Sequence, residues 1–137
     1  MDSATEYLRT TSAEMADGYT FDCVTHACAI ARLLLDEDRQ PWIGRIRDVI
    51  ETPRGMYFEP LIPMRFTGQA ARTWNTHYVC CSGNEVYDPI AGTPLTIELY
   101  AQAVFGRALT VHEHFSADAT ADLLRRGELA QSFRRTG

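Results

Sequence analysis

The chain contains no lysine: all thirteen of its basic residues are arginine. That absence removes Schiff-base catalysis, a phosphate loop of the Walker type and any lysine general base. Basic clusters that could track a phosphate backbone are missing too, Arg125-Arg126 and Arg134-Arg135 being too few. With a formal net charge of −5, the composition argues against nucleic acid as a partner. No apolar run is long enough to cross a bilayer, so no membrane partner is expected. Met1 to Glu6 has neither the basic region nor the apolar core of a signal peptide, and a cytoplasmic location is the expectation. Four cysteines are present but never as a C-x-x-C pair, and the adjacent Cys80-Cys81 could bridge only through a strained vicinal bond. In a reducing compartment they are expected to be thiols.

What is present describes an ordinary globular chain, 45% hydrophobic and 23% charged. Its 137 residues suffice for one domain that buries more than about 60% of its unfolded surface without disulfides. We expect a single domain over residues 1–137 with its core at about 19–115 and peripheral terminal segments.

The stretch from Tyr19 to Leu35 organises the rest. Thr25, Ala29, Arg32 and Asp36 recur at helical spacing as the only stripe able to face water, so Cys23, Ala27, Ile30 and Leu34 must pack. The spacing predicts a buried helix with Asp22 as N-cap and Cys23 in the first turn. Unpaired N–H groups and the positive end of the helix dipole favour thiolate there, although the Asp22 carboxylate opposes it, so a low thiol pKa needs a cationic partner. Most free cysteines are simply small buried apolar residues, and Cys23 gains chemical meaning only from residues further along the chain.

Around this helix, a short helix is expected up to about Ala16, with Tyr7, Leu8 and Met15 as its apolar members. A strand is expected over Trp42 to Val49. From Glu51 to Arg72, Pro53, Gly55, Pro60, Pro63 and Gly68 interrupt a run of apolar residues, which reads as a long, sticky loop that shapes the cleft. A helix is expected from Ile97 to about Phe105, with Thr96 as N-cap and Gly106 as its end. Leu109 to Phe115 alternates as a strand, Ser116 caps a last helix to about Arg126, and the tail from Gly127 reads as loosely held.

The second informative stretch runs from Trp74 to Pro89. Gly83-Asn84 is a hairpin turn signal between two strand-forming runs. With a two-residue loop, Ser82 faces Glu85 and Val79 faces Asp88, which leaves His77 and Asp88 as diagonal neighbours on one face. A three-residue loop would turn Asp88 to the other face. Cys23, His77 and Asp88 then supply a nucleophile, a base and an orienting carboxylate in that chain order.

Other readings of these side chains are weaker. Cys23, His26, Cys28, Cys80, Cys81, His112 and His114 are soft ligands in number, but Cys23 and Cys28 lie about 140° apart on a helix, so neither a metal nor another cofactor is expected. His26 reads as a satisfied core histidine, His112 and His114 as an exposed strand face, and Cys80 and Cys81 as strand packing residues.

Asp22-Cys23 opening a buried helix, Trp74-Asn75-Thr76-His77-Tyr78-Val79, and Val86-Tyr87-Asp88-Pro89 with Gly92 just after together resemble the catalytic segments of the papain-like and transglutaminase-like cysteine enzymes. The likeness is to small bacterial members such as leader peptidases and protein glutamine deamidases, and it covers roughly residues 19 to 106 by motif order. It implies an α+β fold, a central cysteine-bearing helix packed on an antiparallel sheet. It also implies Cys23 as nucleophile, His77 as general base and acid, and Asp88 as the residue orienting His77. Papain-type peptidases carry a glutamine oxyanion donor shortly before the cysteine, where this chain has Ala16-Asp17-Gly18-Tyr19-Thr20; this favours the transglutaminase-like and deamidase relatives. The Cys23 N–H supplies one oxyanion donor, and Asn75, Trp74 and Tyr19 are the candidates for a second. The expected function is thiol-dependent hydrolysis of a peptide bond or glutamine side chain in a peptide or protein substrate. An acyltransferase with the same triad and a catalytically idle binding module of the same fold are the alternatives.

Overall fold

The computed structural model describes residues 2–15, 22–67 and 74–136. Among the described residues, five helices and an antiparallel sheet of five strands make an α+β fold. In chain order these are α1 (Ser3–Glu14), α2 (Cys23–Asp36), β1 (Pro41–Ile46), β2 (Asp48–Thr52), β3 (Gly55–Glu59), β4 (His77–Ser82), β5 (Glu85–Tyr87), β6 (Leu95–Thr96), α3 (Ile97–Phe105), β7 (Val111–Phe115), α4 (Ala117–Arg125) and α5 (Leu129–Thr136). A 3-10 turn at Met64–Phe66 lies between β3 and β4. The main sheet has the order β6-β5-β4-β1-β7, with β2 and β3 forming a separate two-stranded ribbon.

Period-two alternation along β4 divides the core between the two faces of the sheet. Cys80 joins Ala27, Ile30, Ala31 and Leu34 of α2 and Leu8 of α1 on one side. Val79 and Cys81 join Tyr100, Ala101, Val104 and Phe105 of α3 on the other. Helix α2 buries its Ala27–Ile30–Leu34 stripe while Thr25, Arg32 and Asp36 stay exposed, as its spacing predicts. In β1, Gly44 is required sterically, because a Cβ there would fall against Val111 Cγ1 of the neighbouring strand. Helix α3 ends where expected, on Gly106 at φ 72°. No described helix is long and apolar enough to cross a membrane.

Four expectations are corrected. The strand expected over Trp42 to Val49 breaks at Arg47, and the first part of the expected loop is regular: Asp48–Thr52 and Gly55–Glu59 pair as a hairpin, with Val49 opposite Phe58 and Ile50 opposite Tyr57, while positions 68–72 lie outside the described residues. Pro53, read as a breaker, sits in the turn, where no ladder bond is needed of it. The tail from Gly127 is not loose. Gly127, at φ 68°, forms a tight turn between α4 and α5, and Leu129, Ser132 and Phe133 recur at helical spacing as a buried face. The terminal segments are accordingly not peripheral, since Ala4 and Leu8 of α1 and Leu129 and Phe133 of α5 all enter the core beside α2.

Phe133 packs edge-on against Tyr78 at 4.9 Å and Phe115 at 5.3 Å between ring centroids. Phe133→Ala is therefore expected to cost about 3–5 kcal/mol in urea unfolding. A loss below about 0.5 kcal/mol would mean that α5 contributes nothing to the core.

Candidate functional site

Helix α2 begins at Cys23. Asp22 caps it, Oδ1 accepting from the Thr25 N–H at 3.2 Å and Oδ2 from the Thr25 hydroxyl at 2.7 Å. The hydroxyl bond in particular holds the Asp22 carboxyl below its ordinary range. Its charge is thus engaged by the cap, and Cys23 stands half-buried at the first helical position.

The hairpin has the two-residue register. Ser82 pairs with Glu85, Cys81 with Val86 and Cys80 with Tyr87. Extending that alternation brings Asp88 to the face of His77, and His77 Nε2 lies 2.9 Å from Asp88 Oδ2. An ionised carboxylate can only accept, so Nε2–H donates to Asp88. Both residues are deeply buried, at 0% and 1% exposure.

Burial alone would push the His77 imidazolium down. The charge and hydrogen bond of Asp88, followed by a hydrogen bond and charge from Cys23, outweigh it and hold the imidazole up at about 9. Asp88 is treated likewise. Burial pushes its carboxyl up, but the His77 charge and hydrogen bonds from His77, Tyr100 and the Ile90 N–H bring it below the ordinary value. Oδ1 accepts from the Ile90 N–H at 3.0 Å, and the Tyr100 hydroxyl donates to the same Oδ2 that His77 uses.

Aromatic rings fix the imidazole in place. Trp74 stacks on His77 with centroids 5.0 Å apart and planes 8° from parallel, and Phe105 meets it edge-on at 5.9 Å. The structure therefore brings Cys23, His77 and Asp88 together. It gives Trp74 a stacking contact with His77, leaves Asn75 exposed in a bend two residues before His77, and Tyr19 lies outside the described residues.

Sequence reading missed Tyr100 and Phe105. The signal for them was the apolar face of α3, where Tyr100 shares a stripe with Val104; a tyrosine on a buried face needs a partner for its hydroxyl, and the buried carboxylate supplies it. We predict that Tyr100→Phe folds but loses about 1–2 kcal/mol in urea unfolding, because Asp88 loses a buried donor. No measurable loss would mean that the contact is not formed in solution.

The remaining titratable groups fall outside this cluster or at its margin. His26, one turn along α2, is bonded through Nδ1 to the Tyr7 hydroxyl at 2.7 Å and pushed down by burial, as expected of a satisfied core histidine. His112 is exposed, but His114 is not: it packs among Tyr78, Phe115 and Phe133. A register shift between Ile43 and Gly44 breaks the regular alternation opposite β7 and accounts for that difference. Burial raises the Cys28 thiol to about 11 and pushes Cys80 and Cys81 up as well. Among the described residues, no three His, Cys, Asp or Glu side chains are grouped to hold a metal ion.

Comparison with known proteins finds no matching family model, no matching curated protein and no matching solved structure.

Proposed function

We propose that the chain is a thiol-dependent amide hydrolase of papain-like or transglutaminase-like type, acting on a peptide bond or a glutamine side chain. The observation that carries the reading is the buried His77–Asp88 pair, 2.9 Å between Nε2 and Oδ2, with Cys23 at the start of α2 near enough to add a hydrogen bond and charge to the imidazole. In this reading the proton of the Cys23–His77 pair sits on His77 Nδ1, and Cys23 Sγ attacks the amide carbon as the thiolate beside that imidazolium. The same nitrogen then protonates the departing amine or ammonia, leaving a thioester on Cys23. Water, deprotonated by His77, attacks the thioester and restores the thiol. Asp88 keeps the imidazole in the tautomer and orientation these steps need, and the Cys23 N–H, a first-turn group without an intrahelical acceptor, is placed to donate to the oxyanion. The four unbridged cysteines are in keeping with a reducing, cytoplasmic setting.

The test is a screen of glutamine-containing peptides read by mass spectrometry. Hydrolysis appears as a gain of about 1 Da at glutamine or as chain cleavage, with an acyl adduct on Cys23 in quenched samples, and both are expected to vanish in Cys23→Ala. Turnover that survives in Cys23→Ala would contradict the reading.

A further inference from the structure

Seven large apolar side chains stand exposed among the described residues, and all but Leu99 fall between Val49 and Met64. Four of them, Val49, Met56, Tyr57 and Phe58, lie on the β2–β3 ribbon. The pairing of Val49 with Phe58 and of Glu51 with Met56 puts three of these on one face, where Met56 is 62% exposed. Neither outer edge of the ribbon has a strand partner among the described residues. Exposed apolar ribbons with open edges template strand addition, a liability that proteins ordinarily cover or charge.

The ribbon grows out of the sheet where the candidate site lies. Ile46 pairs with His77, and β2 begins two residues later. Beyond β3, the Leu61 N–H donates to the Trp74 carbonyl at 2.8 Å, and Trp74 stacks on His77. Two arginines clamp the base. Arg47 donates to Thr76 Oγ1 at 2.8 Å and lies over the Phe58 ring, while Arg107 binds Asp48 and donates to the Pro60 carbonyl at 3.0 Å. The ribbon is therefore anchored to the residues flanking His77 while its apolar face stays open.

We propose that β2–β3 is the docking surface for an extended, apolar stretch of a polypeptide substrate, which adds as a strand to the ribbon and delivers its reactive amide to Cys23. This rests on the hydrolase reading above and narrows it to acyl donors embedded in a longer chain rather than small free amides. An extended peptide satisfies the open edge by backbone hydrogen bonds and places alternate side chains on Val49, Met56 and Phe58. Exposed Glu51 on the same face disfavours an anionic membrane surface as the occupant.

The probe is a fluorescein-labelled nonapeptide alternating valine or leucine with threonine, measured by fluorescence anisotropy against Cys23→Ala so that it is not consumed. A control peptide carries serine at every apolar position. The control is expected to bind at least about tenfold more weakly, and the further substitutions Val49→Glu and Met56→Glu to weaken the apolar peptide by a similar factor. Hydrogen exchange on the Cys23→Ala protein, which does not depend on the ribbon variant folding, should show amides of residues 48–59 protected when the apolar peptide is present. Equal binding of both peptides, or unchanged exchange over 48–59, overturns the proposal. So does a concentration-dependent dimer that Val49→Glu dissociates, since a second copy would then be the occupant. Failure of binding while Cys23 alkylation still depends on His77 overturns docking alone. Loss of that dependence overturns the hydrolase reading and, with it, delivery to Cys23.

Discussion

In Asp88→Ala the midpoint of thermal unfolding is expected to fall by roughly 10–20 °C, the equivalent of about 3–5 kcal/mol for a domain of this size. The loss is large because one truncation strands three groups: the buried His77 imidazole, the Tyr100 hydroxyl and the Ile90 N–H. Its pH dependence identifies the cause. His77 titrates at about 9 in the folded chain against about 6.5 when unfolded, so its contribution, about 3 kcal/mol, is complete below pH 6.5 and disappears as pH rises through 9. Asp88 is held below its unfolded value near 3.8, so its contribution is present above that pH and is lost as the carboxylate protonates in acid. Both describe one ion pair. The stability difference between the parent and Asp88→Asn should therefore be greatest between about pH 4 and 6.5 and shrink on either side. Thermal melts from pH 3 to 10 measure it, and a difference that does not vary with pH would exclude the pair as its source.

Iodoacetamide at pH 7 is expected to modify Cys23 at least about 100-fold faster than Cys28, Cys80 or Cys81, and His77→Ala should slow the Cys23 reaction by about 10- to 100-fold. Cys28 titrates at about 11, so only about one part in 10⁴ of it is thiolate at pH 7. Cys80 and Cys81 are inaccessible at 0% exposure, and burial disfavours their thiolates as well. Cys23 stands half-buried at a helix start beside an imidazole that stays cationic to about pH 9, and a cation there stabilises the negative charge that an attacking sulfur carries. Peptide mapping after timed quenching gives all four rates in one experiment. Labelling of Cys23 at the rate of Cys28, or unchanged in His77→Ala, would mean that the imidazole does not act on the sulfur.

The parts of this molecule legible in its sequence are those fixed by local chemistry. The α2 stripe, the Asp22 cap, the Gly83-Asn84 turn and the Gly106 end of α3 each depend on a few neighbouring residues, and the two-residue turn sufficed to place Asp88 beside His77. What was illegible depends on contacts between distant segments. Pro53 and Gly55 read as breakers, yet Val49, Ile50, Tyr57 and Phe58 pair across them into a ribbon clamped by Arg47 and Arg107. Phe133 comes after a helix-ending glycine but finds Tyr78 and Phe115, which lie well before it in the chain. Tyr100 sits in an ordinary apolar stripe, and only the folded chain puts its hydroxyl on the carboxylate that bonds His77.

The most direct test of the central claim, that Cys23, His77 and Asp88 act as one charge-linked unit, is an NMR titration of the His77 ring nitrogens. It would be run in the parent chain, in Cys23→Ala and in Asp88→Asn. The expected result is a titration near pH 9 in the parent, lower in Cys23→Ala because the sulfur's share is lost, and lower in Asp88→Asn because the carboxylate's charge is lost. An imidazole that titrates near its ordinary 6.5 in the parent, or at the same pH in all three proteins, would contradict it.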